Sequence, residues 1–96
     1  MSDVIDAAVS ALNEKLAGSG FEGVAKFVIR NEGAILLDAS GARAGDDAAD
    51  VTMTADTDTF RAILAGNLNP TAAFMTGRLK VDGDMGAALR LGSVLS

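Results

Sequence analysis

The stretch Leu68-Asn69-Pro70-Thr71-Ala72-Ala73-Phe74-Met75-Thr76-Gly77-Arg78-Leu79-Lys80-Val81-Asp82-Gly83-Asp84-Met85-Gly86 decides how this chain folds. It reads as a short helix, one strand and the start of a second helix. Asn69 caps the short helix, and Pro70 takes the first helical position, where its missing N–H does no harm. Phe74 and Met75 are the apolar residues of that helix, and Gly77 stops it. Arg78 to Asp82 then alternates strictly, with Leu79 and Val81 on one face and Arg78, Lys80 and Asp82 on the other. Gly83 breaks the strand and Asp84 caps the final helix. Met85, Ala88, Leu89, Leu91 and Leu95 supply the apolar surface of that helix.

Toward the N-terminus the same logic continues. Residues 3–17 read as an amphipathic helix with Ile5, Val9, Leu12 and Leu16 on one stripe. Ser2 or Asp3 can cap it, and Gly18-Ser19-Gly20 ends it. Residues 24–30 alternate as a strand, with Ala25, Phe27 and Ile29 on one face. Asn31-Glu32-Gly33 is turn chemistry, because Asn and Gly tolerate positive φ. A second strand runs from Ala34 to Ala39, Ser40-Gly41 turns again, and Ala42-Arg43-Ala44 makes a short third strand. Asp46-Asp47 marks a polar loop. Val51, Met53 and Ala55 alternate with Thr52 and Thr54 in a fourth strand rich in β-formers. The period then switches to helical: Asp56 or Thr57 can cap a helix whose stripe is Phe60, Ile63 and Leu64, closed by Gly66. The order is helix, four strands, two helices, strand, helix. It predicts an α+β fold, a five-stranded, mostly antiparallel sheet covered by helices.

With 96 residues the expectation is a single domain spanning 1–96. Histidine and cysteine are both absent. That removes the usual general base, the commonest zinc ligand, and all thiol and disulfide chemistry. Ser10, Ser19, Ser40, Ser93 and Ser96 have no histidine to activate them. The carboxylate pairs Asp46/Asp47, Asp56/Asp58 and Asp82/Asp84 sit at turns and helix starts, where capping already explains them. Asp82-Gly83-Asp84 lacks the spaced ligands and terminal Glu of a calcium loop. The glycines fall at element boundaries and form neither a dinucleotide fingerprint nor a P-loop. The expectation is a protein that is not an enzyme and uses no cofactor or metal.

Charge narrows the partners. Residues 1–59 carry four basic and eleven acidic groups, for −7, and residues 60–96 carry four basic and two acidic groups, for +2. The net −5 disfavours nucleic acid. The basic members of the last third, among them Arg78, Lys80 and Arg90, are candidates to meet an anionic head group or bilayer surface. Mean hydropathy is +0.29, yet no apolar run approaches the ~20 residues of a membrane span. The acidic start lacks the basic flank of a signal peptide, and Ser93-Val94-Leu95-Ser96 is not the Ser-Lys-Leu address. A cytoplasmic placement is expected.

What remains is an apolar inventory. Three of the four methionines lie inside apolar patterns and would make adaptable walls. Tyr and Trp are absent, so orienting hydrogen bonds from aromatic residues are missing. The pattern points to a protein that holds an apolar ligand by burial alone.

Three blocks carry a resemblance: Ala49-Asp50-Val51-Thr52-Met53-Thr54-Ala55-Asp56-Thr57-Asp58, then Gly66-Asn67-Leu68-Asn69-Pro70, then Ala73-Phe74-Met75-Thr76-Gly77-Arg78-Leu79-Lys80-Val81-Asp82-Gly83-Asp84-Met85-Gly86. The order and spacing of the second and third blocks agree without a gap, and residues 21–95 resemble the sterol carrier protein 2 domain, a small non-specific lipid-transfer module. The resemblance implies helices packed on one side of a five-stranded sheet, with an apolar tunnel between them. That tunnel would take a fatty acid, fatty acyl-CoA, phospholipid or sterol. It places Phe74, Met75, Leu79, Met85 and Leu89 near the tunnel and Phe60, Ile63 and Leu64 opposite. Phe27 and Ile29 complete the candidate contact set. The chain lacks the peroxisomal tripeptide of longer eukaryotic members, and its Ala/Gly/Asp-rich, cysteine-free composition suggests a bacterial version. The partners implied are a lipid or fatty acyl ligand, a transient membrane surface and a lipid-metabolising enzyme. The alternative is a partner-docking or dimerisation module with no lipid, which an exposed stripe around Leu91 and Leu95 would favour.

Overall fold

A computed structural model describes residues 3–17 and 20–95. The elements are α1 (Asp3–Leu16), β1 (Ala25–Ile29), β2 (Gly33–Asp38), β3 (Gly41–Ala44), β4 (Val51–Ala55), α2 (Thr57–Leu64), α3 (Pro70–Met75), β5 (Lys80–Gly83) and α4 (Met85–Leu95). The order is the one the sequence predicts. The expected cap at Ser2 and the stop at Gly18-Ser19 lie outside the described residues.

The sheet runs β3-β2-β1-β4-β5. Every neighbouring pair is antiparallel except β1 and β4, which run parallel in register from Ala25↔Val51 to Ile29↔Ala55. Asp50 secures that pairing from outside. Its amide donates to the Val24 carbonyl at 2.9 Å, and its carboxylate accepts from the Val24 amide at 3.0 Å.

One face of the sheet carries the core. Ala25, Phe27, Ile29, Ile35, Leu37, Val51, Met53 and Ala55 alternate onto it and are buried against the helices. From α1, Ile5, Ala8, Leu12 and Leu16 cover the β2–β3 side; from α4, Leu91 and Leu95 reach the same core. The Phe27 and Phe60 rings meet at 5.0 Å with a 55° tilt, a favourable edge-on geometry that ties α2 to the sheet centre. The opposite face is mostly polar. Val28, Ala34 and Leu36 are its apolar members, and Leu36 is buried where the chain crosses behind the sheet at Gly45–Asp46 and Lys26 pairs with Asp46 at 2.9 Å.

The helix punctuation is visible atom by atom. The Asp56 carboxylate accepts from the Thr59 amide at 2.7 Å, the Asn69 side chain from the Thr71 amide at 2.8 Å, and the Asp84 carboxylate from the Gly86 amide at 2.8 Å. Capping from Thr59, first through its amide and then its hydroxyl, holds Asp56 below the usual carboxylate range, helped by the charges of Arg78 and Arg30. Several boundaries shift by one residue from the sequence expectation, and β5 differs in a way that has a local cause. β5 begins at Lys80, not Arg78, because the Arg78 and Leu79 amides donate back to the Ala73 carbonyl at 2.9 and 3.1 Å. Those donors close the end of α3 and are lost to the sheet. Gly83 does not break β5; it is its last residue, paired with Val51.

Gly83 has φ +103°, and a Cβ there would collide with the Asp50 carbonyl. The close approach lets the Asp84 amide donate to the same carbonyl at 2.9 Å, so the strand turns at once into α4. Gly83→Ala should therefore destabilise the protein by at least about 2 kcal/mol in chemical denaturation, the left-handed penalty plus a backbone clash. Gly66→Ala is the contrast: φ is +80° but nothing lies within 4 Å of the added atom. It should lose only the conformational term, about 1 kcal/mol.

A second prediction concerns acid. Because Asp56 has a lowered folded pKa, its stabilisation is present at neutral pH and is lost as the pH falls through that folded value, below the ordinary ~3.9. Asp56→Asn keeps a capping oxygen but should flatten that part of the acid-unfolding curve followed by circular dichroism.

Candidate functional site

The helices do not cover the sheet evenly. Between α3, α4 and the β4–β5 edge they leave a cavity of about 440 Å³, open to solvent on one side. Met53 of β4, Val81 of β5 and Leu79 just before β5 form its floor. From α3 come Asn69, Pro70, Thr71, Phe74 and Met75; from α4 come Met85, Ala88, Leu89, Gly92 and Ser93.

The α4 contribution explains why that helix looks apolar almost all round. Positions 87, 91 and 95 turn to the core, whereas 85, 88, 89, 92 and 93 recur at helical spacing and line the cavity. Gly92 and Ala88 leave room where a larger side chain would fill the space. The α3 helix does the same on a smaller scale. Pro70 and Ala73 are buried, and Phe74 and Met75 stand exposed at the mouth.

Among the described residues no charged side chain lines the cavity. Two of its polar side chains are engaged within the fold: the Asn69 oxygen caps α3, and the Ser93 hydroxyl donates to the Leu89 carbonyl at 3.3 Å. Among the described residues no three acidic, histidine or cysteine side chains cluster as a metal site. The two carboxylates with lowered pKa values, Asp38 through its bond to Arg43 and Asp56 through its cap, are both outside the cavity. The arrangement can desolvate an apolar chain; it positions no acid, base or nucleophile against one.

The ten expected contact residues separate into three groups. Phe74, Met75, Leu79, Met85 and Leu89 come together around this cavity. Phe60 and Leu64 line a second groove of about 290 Å³ between α1 and α2, with Val4, Ala7, Ala8, Ala11, Arg61 and Ala65. Phe27, Ile29 and Ile63 line neither and are packed in the core at 1% exposure or less. The cations considered for head-group steering also lie elsewhere. Lys80 alternates onto the polar face of the sheet, Arg78 adds its charge to the lowering at Asp56, and the Arg90 guanidinium sits 6.0 Å above the Phe21 ring. Sequence reasoning missed Met53, Val81, Ala88 and Gly92 as wall residues. The helical spacing from Met85 and the shared strand face of Leu79 and Val81 carried that signal.

An apolar cavity between a one-sided five-stranded sheet and its helices defines a carrier-type domain. The chain belongs to the SCP-2 sterol transfer family, whose description matches residues 5–96. It is 35% identical over 103 residues to hydroxysteroid dehydrogenase-like protein 2 of Xenopus laevis, a match covering 99% of this chain and 24% of that protein. The chain thus spans about a quarter of the length of that curated relative. Two solved structures share the architecture. Sterol carrier protein 2 like 2 from Aedes aegypti superposes with a TM-score of 0.79 at 20% identity, covering 95% of both chains. Sterol carrier protein-2 from the same mosquito, solved in complex with palmitate, gives 0.78 at 25% identity over 100% of this chain and 97% of that one.

The cavity also orders the methionines by exposure: Met75 at 79%, Met85 at 53% and Met53 at 3%. Peroxide should oxidise Met75 and Met85 well before Met53, as followed by peptide mass spectrometry. Equal rates at all three would show that the floor is as open to solvent as the mouth.

Proposed function

We propose that this domain is a non-catalytic lipid carrier that takes one apolar tail in the cavity between α3, α4 and β4–β5. The observation that carries the reading is a 440 Å³ cavity walled by Met53, Phe74, Met75, Leu79, Val81, Met85 and Leu89 with no charge among its lining residues. Its size falls within the ~300–1,000 Å³ of small-molecule sites. Each methylene withdrawn from water contributes roughly 0.8 kcal/mol, so a long tail supplies the affinity without any specific polar contact. The methionine walls can reshape around different tails. The palmitate complex of the mosquito relative supports a fatty acyl ligand. A fatty acid, fatty acyl-CoA, phospholipid or sterol-like molecule would each leave its polar end at the open side.

Within this reading the ligand contacts are Phe74, Met75, Leu79, Met85 and Leu89, and the carrier acts in a bacterial cytoplasm. A lipid-metabolising enzyme is the natural recipient, since the Xenopus laevis relative carries this domain as about a quarter of a larger protein. The docking module without lipid loses its expected mark: Leu91 and Leu95, whose exposure would favour it, are 0% and 1% exposed.

Native mass spectrometry of the purified protein, followed by titration with a fluorescent fatty acid, tests the proposal. A co-purifying lipid or saturable one-to-one binding is expected. Phe74→Asp should weaken binding by about tenfold or more while leaving the fold intact, because Phe74 is already 45% exposed. Ala7→Glu, in the α1–α2 groove, should leave it unchanged. A folded protein that ignores fatty acid, acyl-CoA and sterol alike would overturn the carrier reading.

A further inference from the structure

The two edges of the sheet are finished differently. At the β3 edge the Asn13 side chain of α1 does what a further strand would do. Its amide group donates to the Ala42 carbonyl at 3.1 Å, and its oxygen accepts from the Ala42 amide at 2.9 Å. β5 is the last strand on the other side, and among the described residues no strand lies beyond it. The direction of its backbone groups follows from its neighbours. The Ala55 carbonyl accepts from the Arg30 amide at 3.0 Å, so Ala55 turns its backbone toward β1. By alternation Thr54 and Thr52 turn theirs toward β5, where they face Lys80 and Asp82. Val81, between those two, therefore aims its N–H and C=O out of the sheet. An open edge of this kind is a template for another strand.

The side chains say which strand. Lys80 and Asp82 are exposed on the polar face of the sheet, and among the described residues neither takes part in an ion pair. They carry opposite charge two positions apart on one short strand, so the edge is complementary to itself.

We propose that a second copy of this chain pairs with β5 edge to edge and antiparallel, with Val81 opposite Val81 on a two-fold axis. In that register the two Val81 residues exchange both backbone hydrogen bonds. Lys80 of each copy lies opposite Asp82 of the other, once on each side of the axis. Those charges fall at non-hydrogen-bonded positions, where facing side chains are closest. The neighbouring symmetric registers set Lys80 against Lys80 or Asp82 against Asp82, so charge selects this one. The polar faces of the two sheets are continuous, and so are the helix-covered faces. The Val81 side chain belongs to the cavity floor, so the floors of the two copies adjoin. The inference does not depend on the carrier reading, because its contacts are the Val81 backbone and two side chains outside the cavity.

Sedimentation equilibrium of the full chain over a concentration series tests the pairing, with the Val81 amide followed by hydrogen exchange in NMR spectra. A reversible monomer–dimer equilibrium is expected, with the Val81 amide protected where the dimer forms and released on dilution. Lys80→Asp and Asp82→Lys each place like charges opposite one another and should each weaken the dimer by about tenfold or more. Both positions are exposed, so circular dichroism should show both variants folded. The double variant Lys80→Asp/Asp82→Lys restores opposite charges in reversed order and should recover the wild-type association to within about threefold. Glu14→Lys, an exposed charge reversal on α1 beside the far edge of the sheet, should leave it unchanged. A wild-type chain that stays monomeric throughout the series overturns the proposal. So does a dimer that both single reversals leave intact, or one that the double variant fails to restore. A dimer that Leu89→Glu dissolves and Lys80→Asp does not would place the contact at the cavity mouth and overturn it as well.

Discussion

The parallel pairing of β1 with β4 is the constraint on which the rest of this structure depends. Two strands far apart in the chain lie side by side from Ala25↔Val51 to Ile29↔Ala55. Once they do, the β2–β3 hairpin can only occupy one flank and β5 the other. A parallel neighbour also requires the chain to return to the start of β1 first, which residues 45–50 accomplish behind the sheet, whereas β5 starts beside the end of β4 with Lys80 opposite Thr54, so α2 and α3 leave and return at that one end. Asp50 sits where these demands meet. It binds the residue before β1, immediately precedes β4, and offers its carbonyl to the amide of Asp84, the residue that caps α4. Gly83 is required there because no side chain fits between the strand end and that carbonyl.

The cavity is a consequence of how this frame is covered. The α1 helix closes the β2–β3 side with a conventional stripe, and the core there is complete. On the β4–β5 side, α4 turns Ala87, Leu91 and Leu95 to the core, and Met85, Ala88, Leu89 and Gly92 line the space beneath α3. The fold therefore places its packing and its opening on different sides of one sheet. That division lets the rim be apolar and exposed without loosening the centre, where Phe27 and Phe60 lock α2 down. The apolar lining of this opening stays in contact with solvent, and an apolar chain seated there would withdraw it from water.

Much of the fold was legible in the sequence because its punctuation is local. Asp56, Asn69-Pro70 and Asp84 cap the helices that their positions announce. The alternation of Phe27, Val51 and Met53 states which strand face is apolar. The start of β5 was misread because alternation at Arg78-Leu79 says nothing about where their amides go; they belong to the end of α3. The site was half legible for a related reason. Phe60, Ile63, Phe74 and Leu89 all fit an apolar face, and periodicity does not distinguish a face that meets the core from one that meets a cavity.

By itself, then, the sequence determined the elements, their order, the apolar face of each strand and the absence of histidine and thiol chemistry, because those follow from residue type and spacing within a few positions. Only the tertiary structure decided that β1 pairs with β4, that Phe60 and Leu64 turn toward α1, and that Phe74, Met75, Met85 and Leu89 ring one opening. Those are relations between elements distant in the chain. They are set by which surfaces meet when the sheet closes, and no local pattern encodes that meeting.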